Sequence, residues 1–360
     1  MKRLAIADRL QRLRRKLAER EVDAIFISQP DNRRYLSGFD GSAGYLLITE
    51  KEAVIVTDFR YIAQVKRQSP DYRLFQIAGD MSAWLPELVA DLRGSKLGFE
   101  SHHISLAMYR QIGDITKKLD PPVEAIPLEG MVESLRAIKD AGEIESIARA
   151  AELSDRAFQH IEEVIKTGIS EKEVAWELEK FMREHGSQAI PFDVIIASGP
   201  NAALPHARPS ERVIQEGEPV LMDFGARIDG YASDLTRTIC LGEPDGDFKK
   251  VYDTVLGAQL AALELIKEDM TGEQADNLAR AVIAEAGYAQ AFGHALGHGA
   301  GLAAHEAPRL GPGSGEELVS GMVFTVEPGV YLSGWGGVRI EDLVVLENGT
   351  LRVLSKARKT

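Results

Sequence analysis

Apolar residues first recur at helical spacing. Leu4, Ile6, Leu10, Leu13 and Leu17 fall on one side of residues 3–21, with Arg and Lys between them, which predicts an amphipathic helix. The period then shortens to short β-type runs: AIFIS (24–28), GYLLIT (44–49), AVIVTD (53–58), YRLFQI (72–77) and KLGFE (96–100). Helical patterns lie between some of them, at 82–92 and 105–118. Strands alternating with helices predict a small α/β domain. Leu119-Asp120-Pro121-Pro122 breaks the last helix, Pro127 ends the strand after it, and the domain boundary is expected near residue 125.

The second half, 126–360, opens with helical patterns at 131–139 and 141–167. Gly168 reads as a C-cap and Ser170 as an N-cap, with Glu173 completing a capping box. FDVIIASG (192–199) is a predicted strand. Strand patterns dominate 219–242, helical patterns fill 247–267 and 272–286, and strands return from 292 to the end. Helices grouped in this way predict an α+β domain, and no sequence repeat is visible.

Composition narrows the function. Fifty-five acids against 42 bases give a formal charge of −13, which disfavours nucleic acid as a partner. A single cysteine, Cys240, excludes a disulfide framework within the chain and disfavours a thiolate metal site. The N-terminus is too polar for a signal peptide, and no apolar run approaches the roughly 18 residues of a membrane span. A cytoplasmic protein without a membrane partner is expected.

The candidate chemistry begins in GHALGHGAGLAAHE, 293–306, where three of the chain's eight histidines sit among Gly, Ala and Leu. Such surroundings cannot hydrate an imidazole, so His294, His298 and His305 each need a partner. Structural histidines satisfied in a turn-rich strand and ligands of a metal or substrate both meet that need. Asp223 ends an apolar strand, and Asp229-Gly230 is a hairpin turn signal. A turn centred there puts Asp234 opposite Gly225, with Asp223 its diagonal neighbour on the same face. Two carboxylates so placed repel unless cations sit between them; a surface Asp and a turn-flanking Asp is the other reading. Glu327 follows an apolar run and precedes Pro328-Gly329, while Glu341 alternates with apolar residues and shares a strand face with Arg339. His206 lies in the proline-bounded loop LPHARPS.

In order and spacing, MDFGA, YASDLTRT, GHALGHGAG with HE, TVEPGVY and VRIED resemble the pita-bread metallopeptidases, the family of methionine aminopeptidase, aminopeptidase P and prolidase. The α/β N-terminal domain, with NRRYLSGFDGSAG and TDFRY, is similar to the prolidase and aminopeptidase P branch. The resemblance implies a pita-bread catalytic domain with two divalent metal ions, manganese first and cobalt or zinc as alternatives. It implies Asp223 on one metal, His298 and Glu327 on the other, and Asp234 and Glu341 bridging. A hydroxide shared by the two ions would be the nucleophile, with Glu327 as proton acceptor. His206 and His305 would flank the reacting carbonyl and its oxyanion, and His294 would line the pocket or shuttle protons. Arg339 would support a ligand carboxylate and Tyr331 would donate a hydrogen bond nearby.

That branch cleaves the bond before proline, so the expected substrates are small proline-containing peptides. Arg309, in HEAPRL, stands where prolidases carry an arginine for the product-side carboxylate, which favours an Xaa-Pro dipeptidase. FDGSAG looks more like some aminopeptidases P, which take longer peptides. A homodimer is implied, in which Asp40 and its loop limit substrate length at the partner's site. Pita-bread relatives that only bind peptides or proteins have lost metal ligands; all five ligand residues are present here.

Overall fold

In the computed structural model, which describes residues 2–359, the amphipathic opening segment forms helix α1 (Lys2–Glu19). It buries Leu13 and Leu17 and leaves Leu4 exposed. Six strands follow: β1 (Ala24–Ile27), β2 (Tyr45–Thr49), β3 (Ala53–Thr57), β4 (Arg73–Gln76), β5 (Lys96–Glu100) and β6 (Glu124–Leu128). They make one mixed sheet in the order β4-β3-β2-β1-β5-β6. Helices α2 (Pro30–Ser37), α3 (Ile62–Gln68), α4 (Met81–Leu88), α5 (Leu106–Thr116) and α6 (Glu133–Arg136) complete the unit.

The sequence pattern did not announce α2 and α3. Both span too few turns for periodicity to register. α2 is set by its ends instead: Pro30 at the first turn, the Gln29 side chain accepting from the Asn32 amide, and Gly38 at φ 75° closing it.

The chain divides into two compact units after Arg136, rather than near residue 125. Residues 124–128 form the last strand of the sheet, parallel to β5. Pro127 lies inside that strand instead of ending it. An edge strand accommodates a residue without an N–H on its open side. The helix expected over 131–139 shrinks to the single turn α6. Residues beyond it extend: Ile138 bridges Met322, the Lys139 amide donates to the Gly321 carbonyl, and Asp140 caps the next helix.

The second unit is two helix pairs, each followed by strands. α7 (Ala141–Val164) and α8 (Glu171–Glu184) pack together and precede β7 (Ile195–Ser198), β8 (Pro219–Phe224), β9 (Arg227–Ile228), β10 (Tyr231–Ala232) and β11 (Leu235–Cys240). α9 (Gly246–Leu265) and α10 (Gly272–Glu285) also pack together. They precede β12 (Gly297–Gly299), β13 (Glu306–Leu310), β14 (Val323–Val326), β15 (Gly329–Leu332), β16 (Gly336–Arg339), β17 (Asp342–Glu347) and β18 (Thr350–Val353). One sheet runs β11-β8-β7, another β13-β12-β14-β17-β18. The first helix pair forms a core with the first sheet through Phe158, Leu178, Ile196 and Met222; the second does so through Val255, Ile283, Phe324 and Val344. Structural duplication is therefore present where the sequence shows no repeat, because packing needs apolar periodicity and not matching letters. Ser170 and Glu173 form the expected capping box of α8, whereas α7 ends at Ile165, before Gly168.

Candidate metal centre

The Asp229-Gly230 turn sets the register of the first wall. Asp229 and Gly230 have φ of 50° and 86°, the left-handed pair of a tight hairpin turn. From it the register carries through Ile228↔Tyr231 to Phe224↔Leu235 and Asp223↔Thr236. Asp234, two residues before Thr236, shares the face of Asp223. Between them the strands close tightly. A Cβ on Gly225 would lie 2.1 Å from the Ser233 carbonyl oxygen.

β12 is squeezed in the same way. A Cβ on Gly297 would meet the Thr325 carbonyl oxygen at 1.9 Å, and one on Gly299 the Ala307 carbonyl oxygen at 2.0 Å. Glycine on both sides of His298 thus lets the strand sit between its neighbours. His298 Nδ1 donates to the Gly299 carbonyl at 3.1 Å, which leaves Nε2 as a lone pair. That lone pair faces Glu327 Oε1 at 3.3 Å and Asp234 Oδ2 at 3.8 Å. Burial lowers the His298 pKa, so the ring is neutral and its lone pair confronts acceptors.

Glu327 leaves the end of β14, anchored by its amide to the Leu296 carbonyl. Glu341 lies between β16 and β17, with its amide on the Thr236 carbonyl. Ile340 is buried in the core on the other face, as alternation predicts. Asp234, His298 and Glu341 each offer a ligand atom within 4.8 Å of the others.

The cluster is unbalanced as it stands. Asp223 Oδ1 and Glu341 Oε1 are buried without a hydrogen-bond partner. Burial, then the neighbouring carboxylates, hold the Asp234 and Glu341 pKa values well above the usual carboxylate range. Burial pushes Glu327 up to about 7. Orphaned oxygens, an unoccupied imidazole lone pair and mutually repelling acids fit divalent cations.

A pH dependence follows. The metal-free folded state retains protons on these acids that the unfolded chain has lost, so its stability falls as pH rises through about 7. The histidines with depressed pKa values act in the opposite direction, but only below about pH 6.5, where unfolded histidine charges. Chelated protein is therefore expected to melt at a lower temperature at pH 8 than at pH 6.5, either side of the Glu327 value of about 7, with divalent metal reducing the difference. An equal or higher melting temperature at pH 8 without metal would contradict this charge arrangement.

A cavity of about 510 Å³ opens onto the cluster. It is lined by the five residues above and by His206, His294, His305, Arg309 and Arg339. Tyr331 is not on that wall. Its hydroxyl accepts from Arg339 Nη1 at 2.8 Å and donates to His294 Nε2 at 2.9 Å. The Nδ1 of His294 donates to the Ala295 carbonyl at 2.8 Å, so both of its ring nitrogens are engaged. Burial pushes His294 down to about 4. It lines the pocket as a fixed neutral ring, with no free nitrogen for a proton shuttle. Arg339 pairs with Asp223 at 2.5 Å rather than with Glu341, its neighbour on the strand.

His305 is tilted over His298, ring centroids 4.0 Å apart, and partial burial pushes it down to about 4. Arg309 lies on β13, directly paired with His298 across the ladder, so the two side chains share a face. Pro308 lies within β13, which is the edge of its sheet, where proline is tolerated.

Three supporting residues escaped the sequence reading. Thr236 donates to Glu341 Oε2 at 2.6 Å and accepts from Arg339 Nε at 3.1 Å. Thr325 donates to Glu327 Oε1 at 3.0 Å and accepts from the His298 amide at 3.1 Å. Each is two residues from an acid on the same strand face, which is the signal that could have found them. Arg237, 1% exposed, points to the opposite face, pairs with Asp342 at 2.8 Å and holds the Glu341 carbonyl. Buried charges that support a site from behind leave no motif.

The comparisons with known proteins agree with this architecture. The family model described as Metallopeptidase family M24 matches residues 145–348, and the Creatinase/Prolidase N-terminal domain matches residues 9–138. A curated Xaa-Pro dipeptidase of Pyrococcus furiosus is 36% identical over 357 residues, 98% of this chain and 99% of its own. The solved structure of an Xaa-Pro dipeptidase from Bacillus anthracis is 43% identical, with a TM-score of 0.94 over 99% of both chains. That of an X-Pro aminopeptidase from Thermotoga maritima is 37% identical, with a TM-score of 0.89 over 98% of both. With both family models in tandem and a relative this similar along nearly its whole length, the chain belongs to metallopeptidase family M24 and carries that family's pita-bread catalytic domain behind a creatinase/prolidase-type N-terminal domain.

Proposed function

We propose that this protein is an Xaa-Pro dipeptidase. It would hold two divalent metal ions through Asp223, Asp234, His298, Glu327 and Glu341. The observation that carries the metal reading is the pair of buried, partnerless oxygens, Asp223 Oδ1 and Glu341 Oε1, in the cluster that the His298 lone pair faces. Four carboxylates and one imidazole are mainly hard oxygen ligands, which favours manganese, with cobalt and zinc as alternatives. Bound there, the ions supply Lewis acidity and make water a nucleophile near neutral pH.

The chain's own residues do the rest. Glu327, on the cavity wall with Thr325 donating to its Oε1, accepts the proton of the attacking water. His206 and His305 stand on the cavity wall and donate to the carbonyl oxygen as it gains charge. A neutral His305 has one ring N–H for that purpose. Arg339 and Tyr331 fix Asp223 and His294 from behind.

The proline side sets the substrate class. An Xaa-Pro bond has a tertiary nitrogen without an N–H, so a cleft for it needs no acceptor there. Arg309, on the face of His298, gives one donor to the Pro312 carbonyl at 2.8 Å and keeps others for the carboxylate of a dipeptide. Arg309→Ala is expected to raise KM for Xaa-Pro about tenfold or more, the value of a charged hydrogen bond, and to change Xaa-Pro-Yaa hydrolysis little. An equal effect on both peptides would favour the aminopeptidase reading, which the Thermotoga maritima relative supports.

The homodimer and the cytoplasmic location rest on the family resemblance. Among the described residues, no helix is long and apolar enough to cross a membrane. Asp40 is exposed and held by Gln64 and Gln68 at 2.7 and 2.8 Å, a fixed anion suited to limiting peptide length in a partner's cleft. Sedimentation of the active species tests the dimer.

A further inference from the structure

His206 lies on an excursion of the chain, residues 201–210, between β7 and β8, and the two feet of that loop converge on one side chain. Glu171, the first residue of α8, is fully buried. Its Oε1 accepts from the Ser198 amide at 2.8 Å, Ser198 Oγ at 2.9 Å and Asn201 Nδ2 at 3.1 Å. Its Oε2 accepts from Asn201 Nδ2 at 3.1 Å, the Ser210 amide at 3.0 Å and Ser210 Oγ at 2.7 Å. The backbone continues the seam, with the Glu171 amide on the Arg212 carbonyl and the Lys172 amide on the Ser210 carbonyl.

An acid in a first helical turn is ordinarily explained by the helix dipole. That account is insufficient here. The α8 cap is already made by Ser170 and Glu173, and both Glu171 oxygens are directed to the loop. The middle of the loop is held separately. The Pro205 carbonyl accepts from Arg339 Nη1 at 3.2 Å, and Ala207 is buried at 8% exposure. His206, between these two anchors, is itself exposed on the cavity wall. Among the described residues no hydrogen bond holds its exposed ring, so its position follows from how the loop is closed.

We infer that Glu171 is a positioning residue for His206: it closes the neck of the 201–210 loop and so sets where the imidazole meets the substrate's carbonyl. The inference rests on the role given to His206 above. Glu171→Gln keeps the size of the side chain but puts an NH2 against donors, since every group bonded to the Glu171 carboxylate donates to it. One half of the neck then opens.

The test is a double-mutant cycle on metal-loaded protein with an Xaa-Pro dipeptide, read as kcat and KM separately. Glu171→Gln is expected to lower kcat about tenfold, the scale of a sub-ångström misplacement, with KM and metal content nearly unchanged. In a His206→Ala background the same change is expected to add less than about twofold, because the group it positions is gone. A full tenfold loss in that background, or no loss in the native one, would overturn the positioning role while leaving His206 intact as a participant. If His206→Ala alone leaves kcat unchanged, the reading of His206 fails instead. Should Glu171→Gln not fold, Ser210→Ala removes one donor from the neck and enters the same cycle, with the same additive or silent result counting against the proposal.

Discussion

Asp223→Asn is expected to abolish hydrolysis and to lower bound divalent metal while the chain still folds. In the native protein Asp223 Oδ2 is taken by Arg339 and Oδ1 is buried with no partner. The amide can turn either way, and both are harmful. With its NH2 toward Arg339, two donors meet and the Arg339–Tyr331–His294 chain loses its anchor. With its NH2 toward the carboxylate cluster, a donor replaces a lone pair that a cation requires. Metal affinity should fall by more than about 100-fold, beyond the 10–100-fold typical of residues that only support a ligand. Folding should persist, because the substitution removes one buried negative charge from a repelling cluster. Elemental analysis after dialysis and activity with added manganese read the outcome; unchanged metal content and activity would show that Asp223 is not a ligand.

Glu327→Gln should have an effect of similar size through a different step. Glu327 lines the cavity at the cluster, with Oε1 3.3 Å from His298 Nε2 and held by Thr325, where it can take a proton from water. Glutamine keeps the shape and can still accept from Thr325, but it takes no proton. At saturating metal, kcat is expected to fall by a factor on the order of 10²–10⁴, the usual value of a general base, with a smaller change in KM. A variant that regains native kcat once metal is in excess would assign Glu327 to metal binding alone.

The hairpin was legible in the sequence because Asp229-Gly230 fixes a register by backbone stereochemistry alone. Counting outward from that turn puts Asp223 and Asp234 on one face, the register the strands adopt. The glycines around His298 were legible for a related reason: they mark where strands approach too closely for a Cβ. Other features were hidden by tertiary context. Pro127 reads as the end of a strand, yet it lies within an edge strand, as Pro308 does, and a sequence does not show which strand is an edge. His294 reads in the sequence as a pocket residue or proton shuttle, and Tyr331 as a nearby hydrogen-bond donor. Their hydroxyl and ring nitrogens are bonded to Arg339, to each other and to the Ala295 carbonyl, a chain that exists only once the β15–β16 hairpin is packed. Arg237 and Glu171 were passed over because a buried charge reads like a surface one until its partners are known.

Hydrolysis of an Xaa-Pro dipeptide and the matching Xaa-Pro-Yaa tripeptide, each with manganese and after chelation, tests the central claim most directly. Rapid release of the Xaa residue from the dipeptide, slow release from the tripeptide, and loss of both on chelation with recovery on adding manganese is the predicted result. Undiminished dipeptide hydrolysis in metal-free protein, or no hydrolysis of either peptide by the metal-loaded protein, would contradict it.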